Sequence, residues 1–100
     1  MAVRRINCDK TEIIVMVEGR KRVRMLNLTY EQITRIQFDK FEERRFLFFK
    51  VPSEKITIVT GKRNEPIVYT KMKEKKYFDQ YKEELRKFVK DNSVSFVDNT

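Results

Sequence analysis

The 100-residue chain predicts an α+β domain: seven antiparallel strands bent into an open barrel or sandwich, capped by one C-terminal helix. Three observations carry that expectation. Apolar and polar residues alternate through Met72, the mark of half-buried strands. The apolar period then changes once, to three or four residues, and keeps that spacing to the neighbourhood of Asn92. Finally, the chain holds only two Gly and two Pro, with no Ser- or Gly-rich stretch to act as a linker. We therefore expect one domain over residues 1–92 and a short tail over 93–100.

Residues 3–8 predict a short strand closed by Asp9-Lys10. Residues 11–17 (TEIIVMV) are strongly β-branched and end at Glu18-Gly19, a turn pair suited to a hairpin. In residues 20–28, Arg22, Arg24 and Asn27 alternate with Val23, Met25 and Leu28, with a slip near Leu26. Residues 32–38 (QITRIQF) predict a fourth strand, followed by a charged turn over 39–44. Residues 45–51 (RFLFFKV) are apolar on both faces in their middle, as in a strand inside a packed sheet. Pro52-Ser53-Glu54 predicts the next turn, with Pro at its favoured second position. Residues 55–60 and 66–72 complete the seven strands.

Between residues 73 and 92, Tyr77, Phe78, Tyr81, Leu85, Phe88 and Val89 fall on one helical face. Glu83 and Lys87 form a favourable i,i+4 pair elsewhere on that helix, and Asn92 suits its end. Residues 93–97 (SVSFV) alternate again, an edge strand with no evident hairpin mate.

Composition narrows the function classes. With no histidine, catalysis by a His acid–base, a His-containing triad or a His metal site is excluded. The single cysteine, Cys8, makes neither an internal disulfide nor a thiolate cluster, and fits a reducing compartment. Arg4-Arg5 lacks the apolar run of a signal, and the longest apolar run, residues 13–17, is far short of the roughly 20 residues that span a bilayer. A cytoplasmic protein without a transmembrane segment is expected. Carboxylates are scattered, serines lie in turns or the tail, and no cofactor motif occurs. These features point away from an enzyme.

Residues 28–36, Leu28-Thr29-Tyr30-Glu31-Gln32-Ile33-Thr34-Arg35-Ile36, match an apolar-polar-x-x-x-Ile-x-x-Ile segment leading into a fourth strand. With Tyr77-Phe78-x-x-Tyr81-x-x-x-Leu85-x-x-Phe88, it resembles the pleckstrin-homology-like domains, specifically their small bacterial members. The final helix lacks the Trp usual in the eukaryotic branch. The resemblance implies the open barrel closed by a helix, and a module that binds lipids, peptides or protein surfaces rather than a catalyst.

Lys and Arg total 23 against 15 Asp and Glu, a formal charge of +8. Every third of the chain is positive, so no segment is a dedicated basic arm. The densest run is Arg20, Lys21, Arg22 and Arg24, a candidate anion site because guanidinium forks match phosphate oxygens. In the resembled family such residues flank the first hairpin loop, whereas here they fall in the second. The simpler reading is a solvated edge that discourages sheet-to-sheet pairing. Lys71, Lys73, Lys75 and Lys76 read as a solvated face that would add to a membrane-surface or nucleic-acid-binding patch if it lay near Arg22. Arg45-Phe46-Leu47-Phe48-Phe49 lacks the glycine of RNA-stacking strands and reads as core.

The leading expectation is a non-catalytic module whose partner is another protein, with self-association through residues 93–97 as a variant. Acidic membrane surfaces, contacted through Arg20, Lys21, Arg22 and Arg24, are the second reading. Nucleic acid is disfavoured, resting only on a pI near 9.7.

Overall fold

The computed structural model describes residues 4–19, 21–45 and 49–100. Its strands are β1 (Ile6–Cys8), β2 (Glu12–Glu18), β3 (Val23–Thr29), β4 (Ile33–Arg45), β5 (Phe49–Thr60), β6 (Ile67–Thr70) and β7 (Phe96–Asp98). One α-helix, α1 (Phe78–Asn92), follows β6, and a 3-10 turn (Tyr30–Gln32) joins β3 to β4. The architecture is α+β with a single C-terminal helix among the described residues.

The expected seven-strand antiparallel barrel is corrected to two sheets. One is the meander β1-β2-β3; the other has the order β6-β5-β4-β7 and is mixed, because β7 runs parallel to β4. Three of the expected strands are two long ones. The charged segment 39–44 is not a turn but lies within β4, with Asp39 opposite Lys55 and Lys40 opposite Glu54. Charges on a ribbon wet on both faces leave no hydrophobic alternation to read, although opposite-charge pairs across the strands support it.

Pro52 is likewise inside β5, opposite Glu42, rather than in a turn. The Lys71 N–H donates to the Glu54 carbonyl at 2.9 Å, so Glu54 and, by parity, Pro52 direct their backbone away from β4. Strand β6 pairs only Lys55 to Ile58 of β5, so Pro52 sits on an open edge where its missing N–H breaks no ladder bond. Of the apolar run expected as core, Phe46, Leu47 and Phe48 lie outside the described residues. Phe49 is 65% exposed, which corrects that reading where it can be tested.

One core unites both sheets and the helix. Ile6, Ile13, Val15 and Leu28 face Ile36, Phe38, Ile56 and Ile58, and α1 adds Phe78, Tyr81, Leu85, Phe88 and Val89. These five helix residues are the apolar stripe read from the sequence, with Tyr77 half-buried ahead of α1. A bulge between Ile33 and Arg35 lets Ile33 and Ile36 both point inward despite their odd spacing. The two sheets are tied by the Tyr69 hydroxyl, which donates to the Met16 carbonyl at 2.6 Å.

The tail segment has a mate. Residues Phe96 to Asp98 pair with Ile36 to Phe38, the Ile36 N–H donates to Ser95 O at 3.0 Å, and the Asn99 N–H donates to Phe38 O at 2.8 Å. Phe96 meets Phe38 edge to face at 4.9 Å. Among the described residues no helix is long and apolar enough to cross a membrane.

Candidate interaction surface

The candidate cations lie at the far end of the β2–β3 hairpin. The Gly19 N–H donates to the Arg22 carbonyl at 2.9 Å, closing a tight reversal in which a Cβ on Gly19 would approach that same oxygen to 3.2 Å. Lys21 and Arg22 are exposed beside this turn, and Arg24 is exposed on β3. Arg20 lies outside the described residues.

Strand β3 is the edge of its sheet, with no strand on its other side among the described residues. Its backbone parity follows from two bonds. The Gly19–Arg22 contact makes that pair hydrogen-bonded, and the Met16 N–H donates outward to Arg5 O at 2.8 Å, so Met25, opposite Met16, turns away from β2. In an antiparallel ladder these pairs alternate, so Val23, Met25 and Asn27 present their N–H and C=O at the open edge. Val23 and Met25 are also 53% and 58% exposed. Their side chains share the outer face, while Arg24 lies on the opposite one. The edge thus joins unpaired backbone, two exposed apolar side chains and a row of cations.

Beside this hairpin runs a groove of about 680 Å³ between β2 and β6. Val17 and Glu18 line it, as do Arg63, Lys73 and Glu74, so one helix-entry lysine does reach the neighbourhood of the candidate turn. Within the groove, Arg5 pairs with Glu18, and its Nε lies 3.3 Å from Glu74. Burial pushes the Glu74 carboxyl above its ordinary value, opposed by Arg5 and by a hydrogen bond from Tyr81. Tyr81 also accepts the Arg5 N–H at 2.7 Å, and burial raises its own phenol. The groove's charges largely answer one another and hold the N-terminal segment to the helix approach.

The other helix-entry lysines diverge from that hairpin. Lys71 and Lys75 flank a second groove, about 410 Å³, floored by Val51, Pro52 and Met72 beside β5. No spacing in the sequence foretells this division, which arises because residues 71–77 wind between the two grooves as successive turns.

Two of the scattered carboxylates, Glu84 and Glu43, take structural roles. Glu84 pairs with Arg4, whose guanidinium lies 5.8 Å from the centres of the Tyr77 and Tyr81 rings, and Glu43 accepts from Ser53 Oγ at 3.1 Å. The Cys8 thiol is half-buried and pushed up to about 12 by burial and by Glu84, so it is held as the weakly nucleophilic thiol. Among the described residues no group of three or more His, Cys, Asp or Glu could hold a metal ion. Set against known proteins, the chain matches no family model, no curated protein and no solved structure.

Proposed function

We propose that this protein is a non-catalytic interaction module of the pleckstrin-homology-like kind, which binds an extended segment of a partner protein along β3. The observation that supports this most directly is the open edge of β3, where exposed Val23 and Met25 accompany outward-facing backbone groups. Strand addition supplies affinity through main-chain hydrogen bonds and specificity through alternating side chains. The partner segment would place apolar residues beside Val23 and Met25 and acidic residues beside Arg24 and Arg22. A second copy suits this edge less well, because β3 carries Arg24 and no acidic residue that could answer the cations of another copy. The lone thiol of Cys8 fits a setting such as the cytoplasm.

Met25→Pro tests the reading. It removes an edge N–H without breaking a β2–β3 ladder bond, so thermal unfolding should shift only slightly. Binding to a library of alternating Val/Asp peptides, read by fluorescence anisotropy, should weaken about tenfold, the scale of one or two lost hydrogen bonds. Equal peptide affinity for both proteins, or no peptide bound by either, would sink the proposal.

A further inference from the structure

Of the four methionines, Met16, Met25 and Met72 lie among the described residues, and their surroundings differ. Met16 and Met72 are half-buried, each in the wall of one of the two grooves. Met25 has no such cover: it is 58% exposed, on the strand that ends its sheet. Met16 and Met25 stand opposite each other in the β2–β3 ladder. Gly19 and Arg22, three positions along, form a hydrogen-bonded pair, so by alternation Met16 and Met25 form the other, closer kind. Their side chains share the outer face with exposed Val23, outside the core.

The sulfur atoms are therefore unequal toward oxidants. A thioether reacts through a lone pair and needs no deprotonation, so access to solvent orders the methionines, with Met25 first. A thiol reacts as its thiolate. Cys8 is half-buried, and burial holds it protonated, which removes the sulfur that would otherwise compete for a peroxide. The most accessible reducing atom among the described sulfurs thus stands on the open edge of β3, between Val23 and Asn27 on the same face.

We propose that Met25 is a site of reversible oxidation by hydrogen peroxide, and that its sulfoxide closes the β3 edge to the partner segment. The second clause rests on the strand-addition reading; the first does not. The sulfur lone pair attacks one peroxide oxygen, the O–O bond breaks and an S–O bond forms. Sulfur gives up two electrons, and the displaced hydroxide takes the proton from the transferred oxygen and leaves as water. A reductase reverses the step with two thiols, which become a disulfide while the sulfoxide oxygen departs as water. The sulfoxide puts a strong acceptor on a formerly apolar side chain. An apolar partner side chain laid over it would strip that oxygen of water and supply no donor in return. The fold itself should not change, because Met25 takes no part in the core.

Limited treatment of the full chain with hydrogen peroxide, followed by peptide mapping in a mass spectrometer, should place oxygen on Met25 ahead of Met16, Met72 and Cys8. Circular dichroism should stay the same. Affinity for the alternating Val/Asp peptides, read by anisotropy, should fall about tenfold or more. Methionine sulfoxide reductases for both sulfoxide epimers, supplied with dithiothreitol, should restore it. Met25→Gln, with a polar oxygen on a side chain of similar length, should bind as weakly as the oxidised chain. Met25→Leu, whatever its starting affinity, should keep it through the peroxide treatment. Oxidation of Met16, Met72 or Cys8 as fast as Met25 would overturn the inference whether or not any peptide binds. Equal peptide affinity before and after oxidation of Met25 would overturn it while leaving strand addition standing. No peptide bound by the reduced chain would remove both together.

Discussion

Ser93 shows how a single residue sets the path of the chain. It occupies the left-handed region at φ 54° and ψ 40°, the one non-glycine residue with positive φ among those described. Its N–H and that of Val94 both return to the Val89 carbonyl, closing the helix end. Asn92, read from the sequence as suited to the helix end, is the last helical residue, and its amide donates to Lys10 O at 2.7 Å and Phe88 O at 3.0 Å. An L side chain in this region is strained where glycine is not. Ser93→Gly should therefore raise the unfolding free energy by about 0.5–1 kcal/mol, measured by urea denaturation. A decrease would mean that the Ser93 side chain contributes more than its backbone costs.

At the scale of elements, the helix was the most legible part of the sequence and the β4–β5 hairpin the least. A helix buried on one side must repeat every three or four residues, and Tyr81, Leu85 and Phe88 do so. The ribbon obeys no such constraint beyond Phe38, because neither face is buried there; its charges read as a turn and its proline as a break. Strand β7 was visible as an alternation, but its partner was not, since a parallel mate 60 residues away leaves no local trace. Its place on β4 gives the tail a mate within the chain: Phe96 to Asp98 cover Ile36 to Phe38, reinforced by Arg86 on Asp98 at 2.9 Å. A chain ending at Asn92 should lose stability by about 2–4 kcal/mol, given the half-buried Phe96 and the lost pairings. It should also sediment as larger species than the full chain, because the β4 edge is uncovered. Unchanged unfolding and sedimentation would show that β7 adds nothing to the sheet.

For the whole molecule, stability against acid depends on a few carboxylates at the tail and the β5 edge. Asp98 is held down to about 2 by the Thr100 hydroxyl and N–H and by Arg86. Glu54 is lowered chiefly by its hydrogen bond from Lys82, at 2.5 Å, and Asp39 by those from Asn99 and Gln37. Groups lowered in the folded state stabilise it fully above their unfolded values near 4, and that contribution disappears as pH falls toward 2. Glu74 acts in the opposite sense. Raised by burial, it favours the fold below its unfolded value, and this is lost as pH climbs through its folded one. Urea midpoints should thus fall between pH 4 and pH 2, and Asp98→Asn should make that fall shallower, by up to about 1 kcal/mol for so exposed a pair. An equally steep fall in the variant would assign the acid sensitivity elsewhere.

The sequence by itself determined the class of the fold, the face of the helix and the surface position of the cations. Each of these follows from local periodicity or from the cost of burying charge, and both are written in neighbouring residues. Only the tertiary structure decided which strands joined, that β7 lies parallel to β4, that β3 is left as an edge, and that Phe49 stands in solvent. These depend on which distant segment lies alongside, and a strand's hydrogen-bonding groups are the same whether a neighbour meets them or not.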